Sequence, residues 1–301
     1  LTVGAGVQGV VRHFDNYWNS GWAFPVHQII KPQEGAMDLH AMRDHLAINT
    51  KPVGPQNPLA LEASWRAIAR KAHPGKPVFF SDTPAHRNPA IEEEEPNQLA
   101  AVLMELIDDA NSEVILVSAY LIPTPQLESA IERAEARGVR VRVLTNSLRS
   151  NNHLAAHSAY RGHLQRLVEH GADLHEVRVD AADRSLYMQK PVQDKRLGLH
   201  AKIMIVDHNR VFVGSCNLDP RSLKLNTEVG LIIDSEPLNQ DLREILAVDF
   251  ELSNAWAVKM SEDGSLRWHG RNMVLEAQPA DSNIERLEDW FLGLLPIEHQ
   301  M

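Results

Sequence analysis

LHAKIMIVDHNRVFVGSCN, residues 199–217, alternates apolar and polar side chains on either side of a short polar break. Ala201, Ile203 and Ile205 alternate with His200, Lys202 and Met204, and side chains two apart on a strand share a face, so His200 and Lys202 point together. Asp207 then opens a tight DHNR turn, and RVFVGSCN returns as the second arm of a hairpin with Ser215 and Asn217 again two apart. Four polar groups therefore converge on one small region. Their chemistry suits a phosphate diester: an imidazole to attack phosphorus or move a proton, an ammonium to offset developing negative charge, and hydroxyl and amide groups to hold oxygens. No cofactor and no metal is required, and Lys202 beside His200 discourages a divalent cation there. Asp207, at the turn end of its strand, is well placed to bond backbone groups and is expected to be structural.

Outward from the hairpin, strands alternate with helices. Leu99, Val102, Leu103, Leu106, Ile107 and Ala110 mark the inward face of a helix that Asn97 caps. VILVS at 114–118 is a short apolar strand, and Thr124 with Pro125 opens a second helix that Gly138 ends in a left-handed conformation. VRVRVLT follows as a strand, then a helix over about 156–170 closing at Gly171, then the strand DLHEV. This order predicts an α/β fold with a mixed, mainly parallel sheet flanked by helices on both faces.

Before residue 76 the pattern is weaker. Val10, Val11, Phe14 and Trp18 form a helical stripe that would bury one face, and KPVGPQNP at 51–58 reads as a loop or linker. A domain boundary is placed near Pro74 to Lys76, giving units 1–75 and 76–301. The run Glu92 to Glu95 reads as a solvated approach to a helix.

With 301 residues, 44% hydrophobic and 23% charged, the chain is too apolar for disorder and long enough to bury a sizeable core. A net charge of -10 weakens any nucleic-acid reading. The single cysteine, Cys216, cannot make an internal disulfide or a cysteine-based zinc site and reads as a packing residue. No run approaches the roughly 20 apolar residues that span a bilayer. The apolar end WFLGLLPI, 290–297, and the loop YLIPT, 120–124, offer membrane contacts but are expected to pack inward. His13, His27, His40 and His208 lack ligand spacing.

His200-x-Lys202-x4-Asp207 followed by Gly214-Ser215-x-Asn217 resembles the signature of the phospholipase D superfamily. FDNYWNSGWAFPV at 14–26, the stretch 144–177, GSCNLDPRSLKLNTEVGLIID at 214–234 and LPIE at 295–298 resemble the C-type branch of bacterial cardiolipin synthases. The resemblance implies two such motifs, one per half, meeting across a pseudo-twofold axis. The first histidine becomes the phosphohistidine, and His200 matches the second, the general acid and base. It also implies that Glu228 orients the imidazole, and that His157, Tyr160 and Arg161 line a lipid headgroup pocket, although those three read equally well as surface positions on an ordinary helix.

The implied reaction is phosphatidyl transfer, with phosphatidylglycerol and a second phospholipid as substrates, at the bacterial cell membrane as a peripheral protein and without nucleic acid as a partner. A phospholipase or nuclease of the same superfamily, or a non-catalytic half that keeps headgroup recognition, is the alternative. A second His-x-Lys-x4-Asp is absent from the 301 residues, so half of such a site is missing. Residues 1–75 resemble the part of the family just after the first motif. Leu1 and the helix at 9–24 suggest a domain cut through its middle, with the nucleophilic histidine supplied from upstream; the other possibility is a homodimer that pairs its motifs.

Overall fold

The computed structural model describes residues 2–4, 6–29, 39–49, 57–83 and 98–295. The acidic run Glu92–Glu95, the cap at Asn97 and most of the 51–58 loop lie outside them. The chain divides into two compact units, residues 1–73 and 74–301.

The first unit holds α1 (Val7–Trp18), α2 (Val26–Ile29), α3 (Leu39–Asn49) and α4 (Pro58–Ala69). Asn57 caps α4, its side chain accepting from the Leu59 N–H. The expected burial of the α1 stripe is not found. Neither α1 nor α4 has a buried residue, and Phe14 and Trp18 stack on each other in the open with centroids 5.6 Å apart. An amphipathic stripe buries only against a complementary surface, and so short a unit supplies little of one.

The second unit is a ten-stranded sheet between helices. Its strands are β1 (Lys76–Ser81), β2 (Glu113–Ser118), β3 (Arg140–Asn146), β4 (Asp173–Val177), β5 (Lys202–Val206), β6 (Arg210–Gly214), β7 (Val229–Asp234), β8 (Ala255–Met260), β9 (Leu266–His269) and β10 (Val274–Leu275). Its helices are α5 (Gln98–Asp108), α6 (Pro125–Ala136), α7 (Leu154–Arg161), α8 (Leu164–Glu169), α9 (Glu236–Asp249) and α10 (Asn283–Leu292). The order across the sheet is β1-β7-β6-β5-β2-β3-β4-β8-β9-β10.

The sheet is mixed, as expected, but not mainly parallel. Among the described strands only β2–β3 and β3–β4 pair in parallel, through the α6 crossover and the α7–α8 crossover. The β5–β6–β7 and β8–β9–β10 meanders reverse the chain through short connections and are antiparallel, and β1, β5 and β8 join β7, β2 and β4 in antiparallel pairing across long separations in sequence. One face packs Leu103, Ile107, Leu127, Ile131 and Leu164 of the α5–α8 layer against Leu116, Val143 and Phe212. The other packs Leu246 of α9 and Phe250 against Ile115, Val117, Leu144 and Ile205. Burial on both faces explains why VILVS is a continuous apolar run.

Local signals act as read. The Thr124 hydroxyl accepts from the Leu127 N–H at the start of α6, and Gly138 and Gly171 have φ of +82° and +101°. The helix expected over 156–170 is two, α7 and α8, parted at Gly162 and His163. The 290–297 segment does not pack inward over its described part: Trp290, Phe291, Leu294 and Leu295 are exposed, while Leu121 and Ile122 of the YLIPT loop are fully buried. No described helix is long and apolar enough to cross a membrane.

Gly214 and Gly230 face each other across β6 and β7 beneath the Phe212 ring. A Cβ on Gly230 would lie 2.1 Å from Phe212 Cε2, a collision that the buried ring cannot escape. Gly230→Ala is therefore expected to destabilise the second unit by about 1–3 kcal/mol, read as a lower urea midpoint at unchanged slope.

Candidate active site

Three adjacent strands carry the motif side chains to one end of the sheet. Lys202 begins β5, opposite Ser118 of β2; Ser215 follows β6; Glu228 precedes β7. The hairpin places His200 just before β5, where its side chain is exposed, rather than within the strand. The Lys202 ammonium donates to the His200 carbonyl at 3.0 Å, so the lysine is anchored to the segment that presents the imidazole. Burial lowers the Lys202 pKa from its ordinary value, while the Glu228 and Asp219 carboxylates oppose the shift.

Glu228 is buried and fully engaged. Ser215 Oγ donates to Oε2, Asn226 Nδ2 donates to Oε1 at 3.0 Å, and the Glu228 N–H donates to Asp82 Oδ2 at 3.0 Å. The Ser215 hydroxyl also accepts from the Val229 N–H at 3.0 Å, which fixes its position. Glu228 makes no hydrogen bond to His200 among the described residues. The strand order gives the reason: β6 lies between β7 and β5, so Ser215 stands between the carboxylate and the segment of His200. Glu228 holds the hydroxyl rather than the imidazole.

Asn217 lies two residues beyond Ser215, with its Oδ1 buried and without a hydrogen-bond partner. Such an orphaned acceptor costs free energy unless a ligand or water meets it. The loop that carries it is stapled from behind. The Ser118 hydroxyl accepts from the Leu218 N–H at 3.0 Å and donates to the Tyr120 carbonyl, and the Ile122 N–H donates to the Leu218 carbonyl at 2.7 Å. Asp219 then accepts from the Ser222 N–H at 2.7 Å and starts the wide turn Arg221–Leu225. Cys216 is buried, and burial beside Glu228, Asp219 and Asp82 pushes its thiol well above the ordinary range, which leaves it a packing residue without nucleophilic character.

Asp207 stands at the far end of β5. With φ +49° it forms the hairpin turn, and its carboxylate accepts from the backbone N–H groups of Asn111, Ser112 and Glu113 and from the Ser112 hydroxyl at 2.8 Å. Burial alone would raise this carboxyl, but the Ser112, Glu113 and Asn111 donors outweigh it and bring the pKa to about 2. Asp207 thereby ties the hairpin turn to the start of β2.

His157, Tyr160 and Arg161 are not at the motif. His157 and Tyr160 are buried in a side-chain network: His157 Nδ1 lies 2.8 Å from Asp289 Oδ1, and Tyr160 donates to Glu176 Oε1 at 3.0 Å. Arg161 pairs with Asp289 Oδ2 at 3.2 Å. They connect α7 to α10 and β4 instead of lining an open headgroup pocket.

Two site residues escaped the sequence reading. Asp82 is buried, clamping the Leu99 N–H at the start of α5 with Oδ1 and Glu228 with Oδ2; Asn226 holds the outer Glu228 oxygen. Asn226 lies two residues before Glu228 and was within reach of a local reading, whereas Asp82 is 146 residues away with no sequence signal. Among the described residues no group of histidine, cysteine and carboxylate side chains could hold a metal ion.

A family model described as "Cardiolipin synthase, PLD-like domain" matches residues 103–249, which include the hairpin, Glu228 and all of α9. Over 312 aligned positions the chain is 26% identical to cardiolipin synthase C of Escherichia coli K12, covering 99% of this chain and 64% of that protein. It is 29% identical to cardiolipin synthase B of the same organism over 158 residues, 51% of this chain and 33% of that one. A solved phosphatidylserine synthase from Haemophilus influenzae superposes with a TM-score of 0.48 at 18% identity, covering 82% of this chain and 52% of that chain. The chain thus spans less than two thirds of the length of these relatives.

Proposed function

We propose, on the premise that this chain belongs to the phospholipase D superfamily through the domain matched over residues 103–249, that it is one half-site of a cardiolipin synthase-like phosphatidyltransferase. The observation that carries this reading is the convergence at one sheet end of exposed His200, anchored Lys202, the Glu228-held Ser215 hydroxyl and the unpartnered Asn217 amide oxygen. Similarity to cardiolipin synthase C along 99% of the chain supports the same choice.

In this reading a histidine from the complementary half attacks the phosphorus of a phospholipid and becomes the phosphohistidine. His200, protonated, gives its proton to the departing alkoxide as the old P–O bond breaks. His200 then takes the proton of the incoming glycerol hydroxyl as the new P–O bond forms and the P–N bond breaks, which restores both histidines. Lys202 offsets the charge of the pentacoordinate phosphorane, with Ser215 and Asn217 holding its oxygens. Glu228 acts one step removed, by holding the Ser215 hydroxyl. The complementary histidine comes either from a preceding half or from a second copy of the chain. The substrates are phosphatidylglycerol and a second phospholipid, met at a bacterial membrane surface by a peripheral protein.

The test is lipid extraction and chromatography from cells expressing the full-length protein in a background without cardiolipin. New cardiolipin is expected. Unchanged lipids together with metal-independent degradation of DNA by the purified protein would overturn the lipid reading in favour of a nuclease.

A further inference from the structure

The sheet face opposite the α5–α8 layer holds a cavity of about 330 Å³ that His200 also lines. Val117, Leu144 and Ile203 form its floor, and they are direct cross-strand partners: Val117 pairs with Leu144 on β3 and with Ile203 on β5. Leu242 and Leu246 of α9 form the roof. The strap that leads into β5 supplies a wall and ends at His200, so the apolar space reaches the residue that carries the imidazole.

The polar groups at its rim are spoken for. The Tyr187 hydroxyl donates to Asp249 Oδ1 at 2.8 Å, and the Arg184 guanidinium is held by the carbonyls of Val179, Gln193 and Lys195. The Asp183 N–H donates to Asn254 Oδ1, and Asn254 Nδ2 donates to Asp183 Oδ2. The cavity therefore offers an occupant apolar contact and few hydrogen bonds, which suits a hydrocarbon and does not suit a nucleotide base or a polyol. Its volume lies at the lower end of small-molecule sites, roughly 300–1,000 Å³.

From this geometry we infer that the cavity binds an acyl chain of the phospholipid whose phosphate reacts at His200. The inference rests on the phospholipid reading of the same site. A phospholipid is a phosphate joined covalently to apolar tails, and the protein presents phosphate-handling groups and an apolar cavity on either side of one residue. His200 borders this cavity and its carbonyl accepts from Lys202, so a ligand whose phosphate meets Lys202 would lay its tail on the Val117–Leu144–Ile203 floor, where each methylene removed from water adds to binding.

The test uses vesicles of phosphatidylglycerol carrying a diazirine on the acyl chain, irradiated with the full-length protein and mapped by mass spectrometry. Labelling needs no turnover, so it is independent of the activity assay. Label is expected on the peptides of Leu242, Leu246 and Ile203, falling by roughly tenfold in Leu242→Trp, whose indole fills the roof. Wild-type labelling is decisive even where that variant folds poorly. Label confined to the exposed Trp290 and Phe291, or spread without preference, would overturn the inference. Cavity labelling without cardiolipin formation leaves the inference standing and counts against the transferase reading; cardiolipin formation with label elsewhere does the reverse.

Discussion

His200→Ala in the full-length protein is expected to cut the proposed cardiolipin formation by about two to four orders of magnitude, the range over which a positioned acid and base accelerates proton transfer. Stability should stay within roughly 0.5 kcal/mol of wild type, because the His200 side chain is exposed and bonds no described residue. That separation of activity from stability identifies a residue whose partner is the substrate. Glu228→Ala should behave differently, losing activity and stability together. It removes the buried carboxylate that accepts from both the Ser215 hydroxyl and the Asn226 amide; the two donors themselves reach solvent, so the cost is roughly 0.5–1.5 kcal/mol for each bond lost. The rate of cardiolipin formation and the thermal midpoint of the three proteins make the comparison. Phosphohistidine found by mass spectrometry on His200 of the isolated chain after exposure to phosphatidylglycerol would instead make His200 the nucleophile.

The hairpin was legible because its information is local. Alternation sets the faces, the DHNR break sets the turn, and both arms lie within 19 residues. The sheet order was not, because β1 pairs with β7 across some 150 residues and β8 returns to the edge of β4, pairings that periodicity does not encode. The same non-locality explains Glu228. Its proximity to the motif follows from sequence, but its choice of Ser215 over His200 follows from β6 standing between β7 and β5. His157 and Tyr160 misled in another way. Polar residues on a short helix ordinarily face solvent, and their burial became intelligible only with Glu176 and Asp289, the latter 132 residues from His157. The apolar 290–295 segment misled by composition, since its helix inserts a carboxylate and leaves its aromatic residues outside.

That inversion makes Asp289→Ala the substitution with the largest expected effect on stability. Asp289 is 1% exposed, while Ile284, Leu287, Trp290 and Phe291 of the same helix are each at least half exposed, so apolar burial contributes little to docking α10. What holds the helix is the carboxylate: Oδ1 meets His157 Nδ1 at 2.8 Å and the Ser158 hydroxyl at 3.0 Å, and Oδ2 faces Arg161 Nε at 3.2 Å. Deleting it strands a fully buried imidazole whose Nε2 already lacks a partner. Breaking a buried pair in this way costs about 3–5 kcal/mol. Hydrogen exchange should show protection lost first over residues 283–292, with β4 and β9 following through the Tyr160–Glu176–Trp268 bonds. The pH dependence gives an independent check. Burial raises the Glu176 carboxyl from 4.5 to about 7, against the His157 charge and the Trp268 and Tyr160 hydrogen bonds. A carboxyl raised on folding contributes stability that is full below the unfolded value and is lost as pH rises through the folded one. Glu135, Asp219 and Asp249, also raised, act with the same sign. The wild-type thermal midpoint should therefore decline between about pH 4.5 and 7 and level off above. A midpoint that rises across that interval would contradict a protonated Glu176 at the centre of the network, and an Asp289→Ala protein as stable as wild type would show that α10 is held by something other than its buried carboxylate.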